Sequence, residues 1–218
     1  MRVCLLVGMG RGLGLSLAQR FGREGFRLAL LARSQAQLQN YSGALELDGY
    51  TARAFCADAA HPTQLISAIR EAFRQLGPIE VLIYNAYSGQ DGPASTLSPE
   101  ALEATLRVNL YGALVAAQQV IPSMRARRKG TLLFTGDGLA LNPQPHQAAL
   151  SIGKASLRAL VGSLSKELYH EDIHVATVTI AGQVKRHTPF DPDLIAEKFW
   201  ELHTQPPGHW KTEVVYQG

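Results

Sequence analysis

The sequence predicts an α/β fold: a doubly wound parallel sheet with helices on both faces, in one domain over residues 1–218. Three observations predict it. Short aliphatic runs alternate with longer helical patterns along the whole chain, the order that right-handed βαβ crossovers produce. A glycine-rich turn, "VGMGRGLG" at 7–14, follows the first of those runs directly. With 218 residues, 46% hydrophobic and 18% charged, the chain builds one sizeable core and leaves no comfortable room for a second domain.

Six strands are expected at "VCLLV" (3–7), "RLALLA" (27–32), "TARAFC" (51–56), "IEVLIY" (79–84), "TLLFT" (131–135) and "HVATVTI" (174–180). Helices fit 13–24, 34–47, 62–75, 98–127 and 146–170. Prolines in "HPT" (61–63) and "SPE" (98–100) mark two first turns. The tail after Ala181 is rich in Pro and His, with a short helix near 192–203 and a last strand at 212–216. Residues 181–218 are therefore expected as a loop-rich tail covering the site.

The N-terminal "MRVCLLVG" reads as a first strand, because its apolar run is short and carries no small-residue cleavage site. No run approaches the roughly 18 apolar residues of a membrane span, so the expectation is a cytoplasmic protein without a membrane partner. Cys4 and Cys56 lie in strand-like runs and read as buried free thiols of a reducing compartment. The net charge of +3 is scattered except at "RARRK" (125–129), which reads as the cationic end of a helix and not as a nucleic-acid contact.

The glycines of the first turn stand at 8, 10, 12 and 14. The common dinucleotide spacing G-x-G-x-x-G fails, because its last position falls on Leu13; G-x-x-x-G-x-G fits Gly8, Gly12 and Gly14. Such a turn needs glycine for positive φ and for close backbone approach to a pyrophosphate, which meets the N–H groups at the following helix start. Gly8, Gly10, Arg11, Gly12, Leu13 and Gly14 are thus expected at a cofactor. At the end of the second strand, where an acid would grip the ribose hydroxyls of NAD, stand Ala32 and Arg33. Arg33, with Arg11, can pair with a 2′-phosphate, so NADP(H) is expected ahead of NAD(H). Asp58, just past the third strand, is placed to accept from an adenine amino group.

With these residues in view, the chain resembles the short-chain dehydrogenase/reductase family, over nearly its whole length. The resemblance rests on Gly8, Gly12 and Gly14, on Asp58, on "YNAY" (84–87), on "VNLYG" (108–112), on Lys154, and on "TIAGQV" (179–184). It implies a Rossmann fold, further cofactor contacts at Ala59, Asn85, Ala86, Gly182 and Val184, a helix-bundle homo-oligomer (dimer or tetramer), and a catalytic tetrad of Asn, Ser, Tyr and Lys. In that tetrad the Tyr gives a proton to a carbonyl, the Ser polarises it, and the Lys lowers the Tyr pKa and bonds the nicotinamide ribose. Asn109 and Lys154 match. Leu150 stands where the Tyr would be, and the Ser position falls on Gly136 or Asp137. Val7, Tyr84, Tyr87, Ala181 and Arg186 also depart from the family pattern, although Thr188 can serve for the last if the turn is longer. Asp137, His146, Tyr87, Tyr111, or a water held by Asn109 and Lys154 remain as proton sources.

"HEDIH" (170–174) is a literal zinc-protease signature, but a helix ends inside it and a strand begins, so His170 and His174 should point apart and no metal is expected. Trp200 and Trp210 are expected to anchor the tail. Two readings compete: an NADP(H)-dependent oxidoreductase of a small carbonyl or alcohol with an altered proton donor, and a non-catalytic NADP(H)-binding sensor or partner subunit.

Overall fold

The computed structural model describes residues 2–218. Seven strands form one sheet: β1 (Val3–Val7), β2 (Arg27–Ala32), β3 (Ala52–Cys56), β4 (Ile79–Tyr84), β5 (Gly130–Asp137), β6 (Ile173–Ile180) and β7 (Glu213–Tyr216). Their spatial order is β3-β2-β1-β4-β5-β6-β7, and every pairing is parallel. The chain winds outward from β1 to β3, then crosses back to β4 on the other side of β1. That reversal places the C-terminal ends of β1 and β4 side by side, with Val7 opposite Tyr84, and opens a crevice there.

The helices are α1 (Leu13–Arg23), α2 (Gln35–Leu47), α3 (Pro62–Leu76), α4 (Pro99–Leu106), α5 (Ala113–Arg127), α6 (Ala148–Leu168) and α7 (Pro192–His203). They cover both faces of the sheet. One core layer joins Leu5, Leu82, Leu132 and Val175 of the strands to Ile69, Val120 and Leu157 of α3, α5 and α6. The other joins Leu6, Leu30, Ile83 and Val178 to Leu17, Phe21, Leu38 and Phe199 of α1, α2 and α7. Leu13, Leu17 and Phe21 recur every four residues, so α1 turns one apolar stripe to the sheet. Proline stands in the first turn of α3, α4 and α7, where its missing N–H costs nothing; Ser98 also caps α4 by accepting from the Ala101 N–H.

Several expectations need correction. The stretch 98–127 is not one α-helix: between α4 and α5 lies a π-helical segment, Arg107–Gly112. The wider turn lets Asn109 face inward and brings Gly112 against the sheet, where a Cβ would stand 2.4 Å from Tyr84 Oη and 2.6 Å from Ala59 O. Cys56 is exposed, because β3 is an edge strand; only Cys4 is buried. Of residues 181–218, expected over the site, only Ala181, Gly182, Gln183 and Val184 line the crevice. The rest of the tail is built into the domain. Ser16 donates to Asp193 (2.5 Å), Arg20 to Glu197 (2.8 Å) and lies over the Trp200 ring, fastening α7 to α1. β7 is held by Arg158, whose guanidinium donates to both Glu213 carboxylate oxygens.

"RARRK" ends α5, as expected of a cationic C-terminus: Arg125 pairs with Glu167 and Glu171, and Arg128 with Asp172. His170 lies in a turn after α6, whereas His174 is buried on β6 with its ring stacked on Trp210 at 5.2 Å. Among the described residues no three His, Cys, Asp or Glu side chains gather as metal ligands, and no helix is long and apolar enough to cross a membrane.

Candidate active site

The crevice is a cleft of about 1170 Å³. Its floor starts at Gly8, which leaves β1 with φ +95°. The Gly8 and Met9 N–H groups both donate to Leu31 O, at 2.9 and 3.0 Å, so the turn folds back toward β2. A Cβ at Gly8 would lie 2.3 Å from Ala86 N, so only glycine lets the exits of β1 and β4 come this close. Gly10 and Gly12 border open space, with no atom within 4 Å of a Cβ. Gly12, Leu13 and Gly14 line the cleft at the start of α1, which has no side-chain cap. The positive end of a helix dipole therefore stands in the cleft wall behind a bare backbone, the arrangement that receives a pyrophosphate.

Beyond this turn the wall is Ala32, Arg33, Asp58 and Ala59. Asp58 Oδ1 accepts from the Ala60 N–H at 2.9 Å, which fixes the carboxylate at the rim. No carboxylate stands at the end of β2, and Arg33 lines the cleft; its own carbonyl accepts from the Cys56 thiol at 3.2 Å. Arg11 is exposed and does not line the cleft, because its position in the loop turns it outward to solvent.

At the opposite end lies a buried polar chain. The Lys154 ammonium donates to Thr135 O at 2.8 Å, the Thr135 hydroxyl donates to Asn85 Oδ1 at 2.8 Å, and Asn85 Nδ2 donates to Gly8 O at 2.9 Å. Lys154 reaches this place because α6 packs on β5 and β6, leaving it 4% exposed. Burial pulls its ammonium down to about 8, with the Asp137 charge acting in the other direction. Asp137 ends β5, lines the cleft, and accepts from the Leu139 N–H at 2.9 Å. A side chain at Gly136 would strike Thr179 Oγ1 at 2.6 Å and Thr177 Oγ1 at 2.7 Å. Position 136 therefore faces the β6 threonines and must be glycine.

Leu150 lines the cleft one helical turn before Lys154 and packs against Gly89, whose Cβ would stand 3.1 Å from Leu150 Cβ. Asn109 is fully buried and does not line the cleft. Its Oδ1 accepts from Ser88 N at 2.8 Å and its Nδ2 donates to Ser88 O at 2.7 Å, so it clamps the strap that follows β4. His146 is exposed in the loop before α6, outside the cleft, its carbonyl bound by Gly92 N–H. Tyr111 is also exposed and outside, on the solvent side of the π-helical segment. Tyr87 lies inside, with its ring centroid 5.9 Å from Lys154 Nζ.

The structure thus gathers the glycine turn, Arg33, Asp58, Ala59, Asn85, Ala86, Asp137, Leu150, Lys154, Gly182 and Val184 around one cleft, and leaves Arg11, Asn109 and His146 off its surface. Sequence reasoning missed Thr135, the hinge of the buried polar chain, and Ser88, which receives Asn109. It also missed the amides of Asn142, Gln144, Gln147 and Gln183 in the cleft wall. Of the last group, Asn142, Gln144 and Gln147 fall in the run "NPQPHQ" (142–147), and Gln183 in "TIAGQV" (179–184).

The family model described as short chain dehydrogenase matches residues 2–192. A human 3-oxoacyl-[acyl-carrier-protein] reductase is 28% identical over 196 residues, covering 90% of this chain and 80% of the relative. A 3-dehydrosphinganine reductase of Arabidopsis thaliana is 31% identical over 181 residues; the match takes in 81% of this chain and only 54% of that protein's length. Among solved structures, a metagenomic short-chain oxidoreductase in complex with NADP superposes with a TM-score of 0.90 at 26% identity, covering 98% of this chain and 96% of the other. The glycine turn at the β1/β4 reversal and Lys154 at the far end of its cleft are thus set in a chain that belongs to the short chain dehydrogenase family.

Proposed function

We propose that the protein is an NADP(H)-dependent oxidoreductase of a small carbonyl or alcohol, and that residues 1–218 form a single NADP(H)-binding domain. The observation that carries this reading is that the Gly8–Gly14 turn, Arg33 and Lys154 line one continuous cleft. The bare backbone at Gly10 and Gly12 suits the pyrophosphate, Arg33 without a neighbouring acid suits the 2′-phosphate, and Lys154 suits the nicotinamide ribose. The 26%-identical neighbour was solved in complex with NADP, which supports the same choice.

When bound, the reduced nicotinamide supplies a hydride. The chain's residues then have three tasks. The Gly8 turn holds the dinucleotide against α1; Lys154 donates to the ribose and sets a positive field beside the reacting carbonyl; the polar chain through Thr135 and Asn85 fixes that ammonium. The reading includes an altered proton donor, since Leu150 occupies the position where the family resemblance implies Tyr, and Gly136 or Asp137 the position where it implies Ser. It also includes a homo-oligomer, supported by exposed Tyr111, Ile152 and Tyr169 along the π-helical segment, α6 and the turn after it. A cytoplasmic location fits the free Cys4 and Cys56.

Calorimetric titration with NADPH and NADH, followed by single-turnover oxidation of bound NADPH against a panel of aldehydes and ketones, tests the reading. Tight NADPH binding with oxidation by at least one carbonyl is expected. Binding without any oxidation would leave the non-catalytic reading, and failure to bind either nucleotide would remove both.

A further inference from the structure

We infer that Tyr87, from the strap after β4, supplies the proton that a carbonyl substrate takes up; the inference rests on the oxidoreductase reading above. The strap is fixed on both sides of this residue. Asn85 is tied to Gly8 and Thr135, and Ser88 is clamped through both its N–H and its carbonyl by Asn109. Between those anchors the Tyr87 ring lies 5.9 Å from Lys154 Nζ, the same ammonium that lies one helical turn beyond Leu150. Gly89 rests on Leu150. The strap has therefore closed over the α6 position and carries a phenol of its own whose ring faces the lysine.

The other polar groups near Lys154 are committed or misplaced. Asp137 Oδ1 accepts from Leu139 N–H, the Thr135 hydroxyl donates to Asn85, and His146 and Tyr111 lie outside the cleft. Tyr87 is 69% exposed and lines the cleft, so its hydroxyl can meet both a ligand and solvent. In the step, the carbonyl carbon accepts the hydride, the C=O π pair moves to oxygen, and that oxygen takes the Tyr87 proton. The phenolate left behind is stabilised by the positive field of Lys154, whose Nζ lies 5.9 Å from the ring centroid, and recovers its proton from water. The sum is carbonyl, reduced nicotinamide and one proton going to alcohol and oxidised nicotinamide.

Tyr87→Phe tests this directly, because it keeps the ring beside Lys154 and removes only the hydroxyl. With a carbonyl that the wild type reduces, kcat is expected to fall about 100-fold or more, while KM and the NADPH dissociation constant move less than about threefold. NADPH binding by the variant also verifies its fold, and Tyr111→Phe, outside the cleft, should match the wild type. Adding Leu150→Tyr to Tyr87→Phe should recover at least about tenfold in kcat, since it returns a phenol to the same ammonium. A Tyr87→Phe enzyme within about threefold of wild-type kcat overturns the assignment while the oxidoreductase reading stands. A wild-type protein that binds no NADPH, or oxidises it with no carbonyl, overturns that reading and this one with it.

Discussion

The Lys154 ammonium donates to the carbonyl oxygen of Thr135 at 2.8 Å from a position only 4% exposed. Burial lowers its pKa from 10.5 to about 8. Between those two values the unfolded chain holds a proton that the folded chain has released, so this group makes stability rise with pH across that window; below about pH 8 both states are protonated and the full cost of burying the ammonium is present. Denaturant melts of the wild type and Lys154→Met, taken near pH 7 and near pH 10, should show the wild type gaining on the variant by on the order of 1–3 kcal/mol at the higher pH. Parallel behaviour of the two proteins would mean that Lys154 is not buried as a cation.

Gly8 and Gly10 are separated by one residue and should respond oppositely to alanine. At Gly8 the φ of +95° and the 2.3 Å approach to Ala86 N leave no place for a methyl group, so Gly8→Ala should cost about 2 kcal/mol or more and lower Tm by several degrees. At Gly10 the space is open. Gly10→Ala should melt with the wild type and yet weaken NADPH, because the methyl occupies room that a phosphate would use. Thermal melts and nucleotide titration of the pair distinguish the two roles.

Much of this was legible because burial imposes simple patterns. The six aliphatic runs and the helix-period segments between them gave the sheet, and the Gly8 turn gave the switch point, since a strand entering a helix through glycines has few other readings. The π-helical segment was not legible: Asn109 and Gly112 keep helical spacing, and only the close approach of Gly112 to Tyr84 and Ala59 reveals the wider turn. Asn109 was found as a site residue, but its task depends on Ser88, 21 residues away. A pairing of that kind is set by tertiary placement, which no local pattern records. Cys56 was misjudged because an apolar run does not say whether its strand ends at the sheet's edge.

Arg33 lines the cleft where β2 ends and has no carboxylate beside it in the chain. A hydrogen bond to a charged group contributes about 1.5–3 kcal/mol, so Arg33→Ala should weaken NADPH by about 10–100-fold and leave NADH within about twofold. Equal losses for both nucleotides would mean that Arg33 supports the loop and does not read the 2′-phosphate.

Asn109 is fully buried and satisfies both the N–H and the carbonyl of Ser88. Asn109→Ala leaves those two backbone groups without partners, at a cost of about 2–4 kcal/mol. The strap is also freed, so Tyr87 loses its fixed distance to Lys154. Stability and kcat should therefore fall together, with NADPH affinity falling less. Asn142→Ala, at an exposed cleft residue, should leave stability within about 0.5 kcal/mol of the wild type.

Leu150→Tyr has an outcome that depends on the background in which it is made. The Cβ of residue 150 stays beside Gly89, but the new ring must enter the space between the strap and Lys154, where the Tyr87 ring already lies 5.9 Å from the ammonium. Two phenols then compete for one cation. In the otherwise wild-type chain the substitution should change kcat by less than about threefold in either direction, because a donor is already in place. In Tyr87→Phe, where the strap offers only a phenyl ring to the ammonium, the same substitution meets an ammonium without a phenol and should raise kcat. Steady-state kinetics of the four proteins measure this coupling as a double-mutant cycle. A large gain from Leu150→Tyr alone would show that the wild-type cleft lacks a positioned acid, and Tyr87 would then be a cleft wall and not the donor.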